Sequence, residues 1–61
     1  NQGAIADYNK AIEINPQNGD AYYNRGIAKG VSGDSKGACA DMRRASSLGA
    51  TMPPAIQRRC F

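Results

Sequence analysis

Two cysteines, Cys39 and Cys60, and five carboxylates, Asp7, Glu13, Asp20, Asp34 and Asp41, are the side chains of this 61-residue chain with the most chemistry to offer. A serine or cysteine nucleophile usually works with an adjacent histidine base, and the chain has no histidine. Two thiols without histidine fall short of the four ligands of a structural zinc site. The carboxylates are scattered over separate segments, and their spacing is not that of a calcium loop. Gly26-x3-Gly30 and Gly30-x2-Gly33 follow no strand and precede no Gly-Lys-Ser/Thr, so they do not form a phosphate loop. The residues therefore predict no enzyme, no metal site and no cofactor. Binding is the class of function that remains.

The charge is uneven. The net charge is +3, with three basic and four acidic groups in residues 1–34 against five basic and one acidic in residues 35–61. That asymmetry suits an acidic protein surface, a nucleic acid or an anionic membrane. Five cations spread over two helices do not make a dense stripe, however, so a solvated face is the plainer reading and nucleic acid the less favoured partner. No apolar run approaches the length of a membrane span. No basic-then-apolar leader is apparent, and there is no initiator Met, so the chain reads as a fragment or a processed product.

Positioning any binding residue falls to helices. Ala4, Tyr8, Ala11 and Ile12 recur at i, i+4, i+7 and i+8 and predict one apolar helix face over residues 3–14. Lys10 is three residues from both Asp7 and Glu13, a spacing for weak surface pairs. Pro16 ends that segment. Asn18 is the expected N-cap of a second helix over about 20–32, and Asp34 that of a third over about 35–48. Gly49 suits the left-handed residue that closes a helix, and Pro53-Pro54 suits the start of a short fourth one, with Ile56 and Cys60 inward. Short connections favour antiparallel neighbours. The chain also repeats itself: shifted by 34 positions, Gly3-Ala4 falls on Gly37-Ala38, Ala6-Asp7 on Ala40-Asp41, Ala11 on Ala45 and Ile14 on Leu48.

These residues resemble the tetratricopeptide repeat, a 34-residue helix–turn–helix. Tyr22-x2-Arg25-Gly26-x2-Lys29 stands for the family's Trp-x2-Leu-Gly-x2-Tyr, and Ala38-x3-Met42 with Ala45 stands for its second helix. Ala4-x3-Tyr8, Ala11 and Pro16 match the second helix and terminal Pro of a preceding repeat. The stretch 4–26 is close to bacterial members of the family, and the ending LGATMPPA is faintly similar to the related Sel1-like repeats. Departures are Arg25 for Leu, Lys29 for Tyr and Ala50 for the closing Pro. Gly37 weakens the start of the third helix.

The resemblance implies an all-α, solenoid-type fold. Residues 1–18 would be the second helix of an incomplete repeat with its turn, 19–50 one full, degenerate repeat, and 51–61 a capping helix. Gly26 would allow close helix approach, with Ala38 as the facing small residue. Without their partner helix, Ala4, Ile5, Tyr8 and Ile12 would be partly uncovered, which suggests self-association. The resemblance further implies a protein–protein interaction scaffold that takes a partner peptide or helix on its concave surface, at Asp20, Tyr23, Asn24, Ile27 and Val31. That face carries no Lys or Arg among Tyr23, Asn24 and Ile27, so it does not match the family's clamp for C-terminal carboxylates. Two alternatives stay open. One is an anionic contact at Arg43, Arg44, Arg58 and Arg59. The other is a purely structural cap on a longer solenoid. Cys39 on the third helix and Cys60 on the cap would be neighbours, either as a disulfide in an oxidising compartment or as buried thiols in a reducing cytoplasm. The compartment, cytoplasmic or exported, depends on which.

Overall fold

The computed structural model describes residues 2–61. Its helices are α1 (Gln2–Ile14), α2 (Gly19–Val31), α3 (Ser35–Ser47) and α4 (Pro54–Cys60), and the described residues contain no strand. The boundaries follow from local chemistry. Asn15 turns the chain after α1, its side-chain oxygen accepting from the Gln17 N–H at 3.1 Å. The Asn18 side chain then caps α2 by accepting from the Ala21 N–H at 3.1 Å. Asp34 caps α3 in the same way, accepting from the Gly37 N–H at 2.9 Å. A Cβ on Gly37 would strike that carboxylate, so the glycine that lowers helix propensity leaves room for the cap.

Both α2 and α3 close through a glycine in the left-handed region, Gly33 at φ +92° and Gly49 at φ +94°. At the first, Asp34 N–H donates to Lys29 O and Gly33 N–H to Gly30 O. At the second, Ala50 N–H donates to Ala45 O and Gly49 N–H to Ser46 O. These are two copies of the same 6→1, 5→2 closure, which satisfies carbonyls that a helix end otherwise leaves open. Pro53 precedes α4 in extended backbone and Pro54 occupies its first turn, where a missing N–H costs nothing.

Each helix packs on its neighbours in the chain: α1 on α2, α2 on α3 and α3 on α4. The tightest approach is between α2 and α3. A Cβ on Gly26 would lie 3.0 Å from Met42 Cε and 3.1 Å from Ala38 O. The Ala38 methyl sits one turn away, 3.7 Å from where a Gly30 Cβ would be, so it is the Ala38 carbonyl that Gly26 accommodates. The core is small. Met42, Ala45, Met52 and Cys60 are buried together, flanked by half-buried Tyr22, Tyr23, Cys39, Ala50 and Ile56. Met52 completes the core from the α3–α4 connection, a contribution absent from the sequence expectation. Ala4, Ile5, Tyr8 and Ile12 of α1 are half-buried, while Ile14 is largely exposed.

Candidate functional site

The most buried charge in the chain is Asp41 on α3, 5 % exposed. Two cations of α2, one turn apart, converge on it. Arg25 donates through Nε to Asp41 Oδ2 at 2.8 Å and through Nη2 to Oδ1 at 2.7 Å. Lys29 Nζ lies 3.2 Å from Oδ2. The third guanidinium nitrogen, Nη1, donates to Asn9 Oδ1 of α1 at 2.8 Å, so one side chain ties three helices together. The Arg25 guanidinium also lies 5.1 Å from the centre of the Tyr22 ring, and that of Arg44 lies 5.9 Å from it.

Burial by itself would push the Asp41 carboxyl up. The hydrogen bonds and charges of Arg25 and Lys29 outweigh it and hold the group below the usual carboxylate range. The hydrogen bond to Asp41 raises Arg25 in turn, against an opposing effect of burial. This cluster explains the two departures from the family pattern. Where Leu and Tyr would fill space, Arg25 and Lys29 neutralise a buried acid. In the sequence Arg25 and Lys29 stand only as departures from the family pattern. The available signal was their i, i+4 spacing, together with a lone acid among the small residues of the facing helix.

Beside the cluster runs an apolar groove of about 590 Å³ between α2 and α4, floored by α3. Its walls include Ile27 and Val31 of α2 and Ile56, Arg59 and Cys60 of α4; Ala38, Cys39 and Met42 belong to its floor. Ile27 is 43 % and Val31 74 % exposed, large apolar side chains left to solvent on one helix face. Of the five candidate binding residues, the groove brings together these two. Tyr23, one turn before Ile27, is half-buried against the core cluster, and Asp20 and Asn24 are exposed outside the groove lining.

The four candidate anion-binding arginines have separate surroundings. Arg43 Nε donates to Cys60 O at 3.1 Å, Arg44 lies over Tyr22, Arg59 edges the groove and Arg58 is exposed. Cys39 and Cys60 are joined as a disulfide, with Cα atoms 5.1 Å apart across 21 positions of sequence. No group of three or more His, Cys, Asp or Glu side chains is placed to hold a metal ion among the described residues, and no described helix is long and apolar enough to cross a membrane.

An all-α array with a glycine-mediated helix contact and repeated closures defines a helical-repeat protein. The comparisons make the class specific. A family model described as TPR repeat matches residues 1–30, which span α1 and most of α2. The chain is 44 % identical over 45 residues to Tetratricopeptide repeat protein 36 of Danio rerio, an alignment covering 74 % of this chain and 24 % of that relative. The chain belongs to the tetratricopeptide repeat family, whose repeats mediate protein–protein interaction. It spans about a quarter of the length of the curated relative it matches. No solved structure matches it significantly.

Proposed function

We propose that this chain is a non-catalytic scaffold segment that binds an extended peptide or helix of a protein partner along α2, with an apolar side chain of the partner seated in the groove. The observation that carries this reading is the exposure of Ile27 and Val31 opposite Ile56, a patch that a folded chain of this size would otherwise bury. The positions Asp20, Asn24, Ile27 and Val31 recur at i, i+4, i+7 and i+11, one face of α2 that continues from the groove into polar ground. Ile27 and Val31 supply apolar contact. Asn24 can both donate to and accept from a peptide backbone, and Tyr23 offers a flat amphipathic edge beside it.

A photo-crosslinking residue placed at Ile27, with an exposed control at Glu13 on α1, tests the reading. A protein crosslinked from position 27 and not from 13, retained at high salt and lost on Tyr23→Ala, Asn24→Ala substitution, is the expected result. Nucleic acid released at low salt, with that substitution having no effect, would move the function to the arginines. Crosslinks that are the same from both positions would leave this segment as a structural cap.

A further inference from the structure

We propose that the Cys39–Cys60 disulfide is a redox lock on α4: oxidised, it holds α4 as one wall of the groove, and reduced, it releases that wall and with it the partner. The inference rests on the groove reading for its consequence, and on the following observations for the lock itself.

Helix α4 has seven residues, far fewer than an isolated helix needs to persist in water. Among the helices it touches α3 alone. No ion pair reaches it from the rest of the chain among the described residues. Its non-covalent ties to the rest are the side chains of Ile56 and Cys60 and one hydrogen bond, Arg43 Nε to Cys60 O. The Gln57 Nε2 to Met52 O bond at 3.1 Å shapes the segment without fastening it to α3. The covalent link sits at the last residue of α4, at the opposite end of that helix from its connection to α3. The α2–α3 contact, with Asp41 held by both Arg25 and Lys29 of α2, has no such dependence.

The bond is also reachable. Both cysteines line the open groove, and Cys39 is only half-buried. A dithiol reductant attacks one sulfur through its thiolate. The Cys39–Cys60 bond breaks, a mixed disulfide forms, and the other cysteine leaves as a thiolate that takes up a proton. The reductant's second thiolate then attacks the mixed disulfide and releases the second cysteine. The chain has gained two electrons and two protons, and the dithiol has become its own disulfide. A partner seated in the groove covers the same sulfurs. That covering slows the attack, and by linkage a partner that binds the oxidised form better makes reduction less favourable by the same factor by which reduction weakens its binding.

The test is amide hydrogen exchange on the full chain, oxidised, reduced with dithiothreitol and reoxidised, beside the Cys39→Ser, Cys60→Ser double variant. Reduction is expected to raise exchange over 54–61 by about tenfold or more while changing 19–47 by less than about twofold, with reoxidation reversing it. Unchanged exchange over 54–61, or an equal rise over 19–47, would overturn the lock. Should the double variant fail to fold, reversible reduction of the unsubstituted chain carries the test. Crosslinking from position 27 in the two redox states reads the consequence separately. Loss of the crosslink on reduction is the expected result, and its persistence alongside a released α4 would overturn control of binding. Absence of any crosslink in the oxidised chain would count against the groove reading instead, with the exchange result unaffected.

Discussion

Helix α3 meets its two neighbours by different chemistry. Toward α2 it presents Met42 and the Ala38 carbonyl, which Gly26 lets approach closely, and Asp41, which Arg25 grips with two hydrogen bonds and Lys29 with a third charge. Toward α4 it presents a few apolar atoms, one hydrogen bond from Arg43 and a covalent bond at Cys39. The first contact is directional and internal to the repeat. The second is loose until the sulfurs join. In a chain of this length the apolar core cannot supply much stability alone. The two regions make up the shortfall separately, one with charge and one with a staple. The groove lies across the boundary between them, which is why its shape depends on the weaker side.

The largest effect on the α2–α3 transition is expected from breaking the charged contact. Asp41→Asn leaves Arg25 and Lys29 facing a site with no anion. It should lower unfolding free energy by about 3 kcal/mol in urea titration, the low end for breaking a buried pair, because both cations keep some solvent. Replacing all three charges with Leu should recover much of the loss, since an apolar set of similar volume avoids desolvating ions.

Removing the staple comes next. For its loop the chain-entropy estimate gives roughly 3 kcal/mol, but the deficit should fall on docking of α4 and leave the α2–α3 transition nearly in place.

Gly26→Ala is third. Its Cβ meets Met42 Cε at 3.0 Å and the Ala38 carbonyl at 3.1 Å, and the carbonyl cannot swing aside, so overpacking of about 1–2 kcal/mol is expected by thermal melting.

Asn18→Ala is the smallest of the series. It removes one cap from α2 and should cost about 1 kcal/mol by the same measurement.

Acid separates the regions as well. The folded-state pKa of Asp41 lies below its unfolded value, so the unfolded chain binds the proton first and stability rises with pH across that interval. Its contribution is complete above the ordinary carboxylate range, near pH ~4, and disappears as pH falls through the lowered folded value. That component of an acid titration should be missing from Asp41→Asn, whereas the disulfide contact should show no matching titration of its own.

The sequence made most of the frame legible. Helix ends were readable because their signals are local: Asn18 and Asp34 cap within three residues, and Gly49 closes α3 where a left-handed residue is required. The Asp41 cluster was not readable in the same way. Its members are separated by a turn and meet only once Gly26 lets α2 settle against α3. Met52 was missed for a related reason. It lies in an extended link before two prolines, outside any helical period, and is buried only because α4 folds back. The resemblance places the candidate stripe on α2 from Asp20 to Val31; the groove takes only Ile27 and Val31 of it, since the position of α4 decides which part of the stripe acquires a second wall.

The difference between the two contacts of α3 can be measured through the tyrosines, because Tyr8, Tyr22 and Tyr23 all belong to α1 and α2 and none to α4. Urea unfolding followed by near-ultraviolet tyrosine signal should shift strongly to lower denaturant in Asp41→Asn and hardly at all in Cys39→Ser, Cys60→Ser. A tyrosine transition that moves as far in the cysteine variant as in Asp41→Asn would mean that the disulfide holds the whole fold, and the division of labour between charge and staple would be wrong.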